Sequence, residues 1–180
     1  MNTTVHQDIR PFEWKRRISK SELWSGILTG QVAGLIMIVA MMIVFAFQGI
    51  SPLFPVQVIG SLAVGDGALQ ENNVTAVVIG VVLHQLGPAL LWGILYGVLA
   101  SKLAVRTKGE ALMLGLGIGV LAMIGPYVLI PYLMKGIHGF DLWNHNIPMV
   151  WDWVAHLIFG IAFIMYPSIL DKVMEKRGKY

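Results

Sequence analysis

Two histidines and an aspartate are the residues of this chain best placed to do chemistry. Asp152 and His156 stand four apart in MVWDWVAHLIFG, residues 149–160, a stretch otherwise made of tryptophan and small or aliphatic side chains. On a helix this spacing puts both on one face. His84 sits in a comparable apolar run, VVLHQLGPALLWGILYG. An imidazole in such surroundings can ligate a metal or haem iron, relay a proton, or hydrogen-bond one helix to another. The Asp152 carboxylate is expected to accept the second ring N–H of His156, as a supporting group does behind a ligand. Pro88 lacks an N–H, so the carbonyl of His84, four residues earlier, loses its usual helical partner. Few other polar side chains interrupt the long apolar runs: Gln31, Gln48 and Gln85.

The elements that hold these residues are set by composition. Of 180 residues, 56% are hydrophobic and 13% charged, whereas soluble domains carry about a quarter charged residues. A membrane-spanning helix needs roughly 20 predominantly apolar residues. Four runs meet this requirement, at about 23–50, 74–104, 111–134 and 148–170. They are too long for barrel strands of about 9–11 residues, so in lipid they read as helices. The fold class expected is all-α, an integral membrane four-helix bundle over residues 23–170. A cytoplasmic or interfacial segment, 1–22, precedes it, and a basic tail, 171–180, completes the chain.

Charge orients the bundle. Arg10, Lys15, Arg16, Arg17, Lys20, Lys102, Arg106, Lys108, Lys172, Lys176, Arg177 and Lys179 fall on the side of the termini and the 2–3 connection, against Lys135 alone on the other. The positive-inside rule puts both termini in the cytoplasm. The stretch IRPFEWKRRISKSELW mixes aromatic and basic residues and suits an anionic lipid surface. The charges of the first twenty residues leave no apolar leader core. Residues 51–73, with Pro52, Pro55, Gly60 and Gly65, are too broken to span and suit a re-entrant or interfacial segment.

Helix packing in lipid rests on small residues, because lipid offers no hydrophobic drive to associate. Gly26, Gly30 and Gly34 recur every four residues in span one and form the expected packing face. Span three carries Gly115, Gly117 and Gly119, and span two Gly80, Gly87, Gly93 and Gly97. Spans two and four each place a histidine in the half away from the termini, which suggests a tandem 2+2 repeat of helical hairpins. His84 lies roughly 15 Å into span two and His156 roughly 12 Å into span four at the helical rise per residue. The two imidazoles could therefore share a depth. The segment GPYVLIP, with Pro126 and Pro131, predicts a kink in span three that could make room for a lipid, a quinone or a neighbouring subunit.

The chain has no cysteine, which excludes disulfides and thiolate chemistry. It has no Walker loop, GxSxG, HExxH or dinucleotide fingerprint. No catalytic residue is assigned and no enzyme activity is expected. No nucleic-acid partner is expected either; the partners are the bilayer and other membrane subunits.

The segments GILTGQVAGLIMIVAMM, VVLHQLGPALLWGILYG and WVAHLIFGIAFIMYP together resemble a broad group of small four-span bacterial inner-membrane proteins. The resemblance covers residues 21–170. It implies fold and a bacterial inner-membrane location, and carries over no catalytic residue.

The leading functional expectation is a small non-catalytic subunit of a larger bacterial membrane complex, respiratory or energy-transducing, without a cofactor. One alternative is a b-type haem or quinone-associated electron-transfer subunit with His84 and His156 as ligands and Asp152 behind them. A copper or zinc site gathering His138, Asp141 and His145 with His84, His156, Met134 and Met149 is a further variant. Another alternative is a small transporter or channel.

The orientation is directly testable. Thr4→Cys and Lys179→Cys should be shielded from an impermeant thiol reagent in intact cells, and Asn144→Cys should be labelled. The reverse pattern would overturn the charge argument.

Overall fold

The computed structural model describes residues 17–71 and 73–177. Residues 1–16, most of the expected cytoplasmic or interfacial segment, and 178–180, the end of the expected basic tail, lie outside them. Every regular element among the described residues is helical. Span one is a single helix, α1, Lys20–Phe47. A short helix, α2, Phe54–Val64, precedes span two. Span two joins α3, Val74–His84, to α4, Leu90–Leu103, through a π turn, Gln85–Ala89. Span three runs from α5, Lys108–Ala122, through a second π turn, Gly125–Leu129, into α6, Ile130–His138. A five-residue helix, α7, Leu142–Asn146, leads to span four. That span is α8, Met149–Ala162, a 3₁₀ turn at Phe163–Met165, and α9, Tyr166–Arg177.

Among the described residues, four helices are long and apolar enough to cross a membrane: Lys20–Phe47, Val74–Leu103, Lys108–His138 and Met149–Lys176, of 28 to 31 residues each. At the α-helical rise this is roughly 42–46 Å, enough for the hydrocarbon layer and both headgroup regions. The helices outrun the expected apolar stretches mainly at polar ends. Thr107 caps α5 by accepting from the Glu110 N–H while Glu110 accepts from the Thr107 N–H, so span three starts ahead of its apolar run. Beyond Leu170, the basic and acidic residues of α9 continue the helix.

Span one shows how these helices are sided. Its buried positions include Ser25, Gly26, Thr29, Gly30, Ala33 and Gly34, spaced three and four apart. In this half of the helix the large apolar side chains point outward: Leu35 is 49% exposed and Ala33 is fully buried, whereas farther on Ile38, Met41 and Phe45 turn inward. Small residues inside and bulky ones outside is the arrangement a lipid solvent permits, since leucine gains nothing by leaving hydrocarbon. The buried hydroxyls are satisfied within the helix, Ser25 donating to the Ser21 carbonyl and Thr29 to the Ser25 carbonyl.

The spans form a ring in which one packs on two and four, and three on four, while two touches three near the 2–3 connection. Spans two and four therefore face each other across the interior instead of lying side by side. They meet through aromatic side chains. Tyr96 stacks on Phe163 at 4.1 Å and meets Tyr166 edge-on at 5.1 Å, and its hydroxyl donates to the Ala111 carbonyl at 3.2 Å. These residues fill the half of the bundle nearer the termini, the basic end. The distal half is packed by Met41, Phe45, Val58, Ile147 and Ala155.

Glycines set the helix separations. A Cβ on Gly26 would collide with the backbone of Gly97, and one on Gly30 would lie 2.6 Å from Gly93 Cα. The expected packing face of span one is thus spent on span two of the same chain. Gly34, the third of the series, does something else. Its missing Cβ would sit 2.6 Å from Gln85 Oε1 and 3.3 Å from His84 Cε1, so it makes room for polar side chains. Spans three and four repeat the device, with Gly115 against the Gly160 carbonyl and Gly119 against the His156 carbonyl. Gly117 meets nothing and takes no part in that contact. Residues 51–71 form α2 and a 3₁₀ turn, Asp66–Leu69. Gly60 and Gly80 let α2 lie against α3, backbone to backbone.

The contrast between two glycines of one helix gives a test. Gly115→Leu should destabilise the bundle by about 1–3 kcal/mol or more, the cost of overpacking a filled contact. Gly117→Leu should change stability little. Thermal unfolding of both variants in mild detergent measures the difference; equal effects would place the 3–4 contact elsewhere.

Candidate functional site

The polar side chains that link the spans fall into two groups, one at the basic end and one running from the middle of the bundle into the distal half. The distal group begins at the π turn of span two. Pro88 cannot donate, and the backbone answers by widening for one turn, so that the Leu90 N–H reaches the Gln85 carbonyl five residues back. The orphaned carbonyl expected at His84 is accompanied by a neighbour that does more: the Gln85 carbonyl also accepts from Gln31 Nε2 at 2.9 Å. Gln85 Nε2 returns the bond to the Gln31 carbonyl at 3.0 Å and approaches Gln31 Oε1 at 3.3 Å. Two glutamines thereby tie spans one and two across a glycine contact.

His84 is attached to this pair. Its Nδ1 lies 3.2 Å from Gln85 Oε1. Since the Gln85 amide nitrogen is turned to Gln31, the oxygen faces the ring and can only accept. Nδ1 therefore carries the hydrogen, and Nε2 presents a lone pair. The same logic holds at His156, whose Nδ1 is 2.7 Å from the Asp152 backbone carbonyl. This corrects the expected role of Asp152. Its backbone, not its carboxylate, holds His156, because the i−4 carbonyl is nearer the ring than a carboxylate on the same face. The Asp152 carboxylate instead accepts from Trp143 Nε1, at a long 3.4 Å.

Asp152 is 3% exposed and His84 7%. Both line a small cavity of about 40 Å³ in the distal half, together with Met37, Met41, Trp143 and Trp151. Helices α2 and α7 close it from the distal side through Pro55, Val56, Ile59 and Trp143. His156 is half-buried and does not line the cavity. Pockets for organic ligands usually run to about 300–1,000 Å³, so a macrocycle between His84 and His156 would require the spans to part.

The distal loop residues expected to gather around a metal are engaged separately. His138 ends α6, with Nε2 3.0 Å from the Leu62 carbonyl. Asp141 caps α7 by accepting from the Asn144 N–H, and His145 packs edge-on against Phe140. Among the described residues no three His, Asp or Glu side chains are arranged to hold a metal ion.

The second polar group, at the basic end, follows no residue motif. Glu22 is 2% exposed. It accepts from Ser101 Oγ at 2.7 Å and pairs with Arg106 Nη2 at 2.5 Å. Ser101 Oγ in turn accepts from the Ser19 N–H. The α4 helix ends there in a left-handed Ala104, with the Val105 N–H bonded to the Ala100 carbonyl, and this turn delivers Arg106 to Glu22. No signal for it exists in the sequence, because Glu22 stands just ahead of the first apolar run, beside Lys20 and Ser21.

Fold and polar groups together define the class: an all-helical, multi-pass membrane protein with a glycine-packed four-span bundle. Comparison with protein families, curated proteins and solved structures finds no match.

The glutamine pair can be tested directly. Gln85→Leu keeps the size but removes the side-chain bonds to Gln31 and to His84, leaving the bond from Gln31 Nε2 to the backbone carbonyl of residue 85, and should lower stability by about 0.6–1.7 kcal/mol per interhelical bond lost. Denaturant titration in mixed micelles measures it. A variant as stable as wild type would show that the Gln85 side chain is dispensable to the bundle.

Proposed function

We propose that this chain is a small non-catalytic subunit of a larger bacterial membrane complex, set in the inner membrane with both termini in the cytoplasm. The observation that carries this reading is the filled interior. Tyr96, Phe159, Phe163 and Tyr166 occupy the basic half and Met41, Phe45 and Ile147 the distal half. The cavity beside the distal cluster is about 40 Å³, small against the roughly 300–1,000 Å³ of pockets for organic ligands. A bundle so filled has little space for a solute path or a substrate, and it meets its surroundings through its outward faces. On span three those faces carry Met113, 71% exposed, Val128 and Tyr132, 77% exposed. The charge asymmetry of the termini and the 2–3 connection supports the orientation.

The test is the state of the protein in its native membrane. After chemical cross-linking there and mild solubilisation, the chain should migrate on a native gel as part of a hetero-oligomer of fixed stoichiometry. Recovery as a monomer or homo-oligomer alone would overturn the reading. A reduced-minus-oxidised visible spectrum of the same preparation addresses the haem alternative. Cytochrome bands that vanish in both His84→Ala and His156→Ala would replace the subunit reading with an electron-transfer one.

A further inference from the structure

The distal cavity brings together side chains of a particular chemical mixture. Met37 and Met41 stand one helical turn apart on α1 and both line it, opposite His84 of span two and Asp152 of span four. We propose that this cavity is a binding site for a single copper(I) ion, with the thioethers of Met37 and Met41 and the imidazole of His84 as ligands and the Asp152 carboxylate as counter-charge.

Three independent observations support it. The first is the donor set. Thioethers are soft ligands that select copper(I), and imidazole suits copper as well. The second is the preparation of His84. Its Nδ1–H is held by Gln85 Oε1, and Gln85 is held by Gln31. A metal-ligating histidine normally donates its other N–H to an oxygen in this way, which fixes the ring and leaves Nε2 as the donor atom. The third is Asp152. It is 3% exposed, and the one hydrogen bond its carboxylate makes among the described residues is the 3.4 Å contact from Trp143. Asp152 stands in the first turn of α8, where the helix N-terminus favours negative charge; a buried carboxylate still gains from a cation beside it, and the Glu22–Arg106 ion pair is at the other end of the bundle.

The charge count selects among metals. A monovalent ion beside one carboxylate is neutral, whereas a divalent ion would leave a net charge in low dielectric. Zinc and copper(II) also favour nitrogen and oxygen donors over thioethers, and sodium or magnesium favours oxygen. The cavity, about 40 Å³, has room for a single ion and is small against the roughly 300–1,000 Å³ of pockets for organic ligands. Methionine also serves as a gap-filler in cores, a role in which it binds no copper.

The full chain, in lipid nanodiscs and without oxygen, is titrated with copper(I) against the chelator bathocuproine disulfonate. It should withhold one copper(I) per chain from the chelator. Protein grown with selenomethionine keeps its packing, and its copper absorption edge should show a selenium neighbour. The double variant Met37→Leu, Met41→Leu should lose copper from the cavity, and Gln85→Leu should bind about tenfold or more weakly, as loss of a group behind a ligand does. No copper withheld from the chelator, no selenium scatterer at the bound copper, or binding unchanged in the double variant would each overturn the proposal. Binding that persists only until His138 and His145 are replaced would do so too, by moving the metal to the distal loops. The selenium readout requires no substitution, so it stands even if the double variant fails to fold.

Discussion

The closest constraint in this molecule is backbone against backbone. Gly26 and Gly30 lie on Gly97 and Gly93, and Gly115 and Gly119 lie on the carbonyls of Gly160 and His156. In lipid no hydrophobic drive holds helices together, so the attraction must come from close dispersion contact and polar bonds, both of which need short separations. Once these glycines fix the spacing and depth of the two hairpins, the remaining contacts can form. The Gln31–Gln85 exchange is possible because its two backbones are near. Gly34 leaves the gap into which Gln85 and His84 fit.

Proline supplies the complementary constraint. Pro88 and Pro126 each fall in a π turn, and Pro167 comes just after a 3₁₀ turn in which the Tyr166 N–H bonds to the Phe163 carbonyl. In each span the missing N–H is absorbed by a local change of winding and not by a break. In span two the consequence reaches the distal cavity. The extra residue of the π turn rotates α4 relative to α3, so His84 and Gln85 look toward span one while Gly93 and Gly97, farther on, still face it.

The two ends of the bundle solve the problem of buried charge differently. At the basic end Glu22 has partners in Ser101 and Arg106, and the result is a clamp joining spans one and two where the chain meets water. At the distal end Asp152 has a tryptophan N–H at long range and an adjoining cavity. A carboxylate well supplied with partners reads as structure. One left with a single weak bond beside soft donors and a fixed imidazole reads as a place for a cation.

Much of the fold is legible in the amino-acid sequence, because lipid imposes strong rules on composition. Runs of apolar residues that long must be helices, the glycine spacing in span one marks a packing face, and GPYVLIP marks a change in span three. The polar contacts are less legible. Asp152 and His156 do share a face, yet which oxygen of Asp152 meets the ring depends on distances of a few tenths of an ångström that spacing does not encode. Glu22 and Arg106 are 84 residues apart, and Met37, His84 and Asp152 come from three different spans. Hydropathy and residue spacing dictate four helices, the solvent they suit and the glycines able to touch. Three-dimensional packing is needed to close the glycine faces on the same chain, to set spans two and four across the bundle from each other, and to place two methionines beside a histidine and an aspartate. Local rules of hydropathy and winding act within about one helix, whereas partners between helices are chosen by how the whole ring packs.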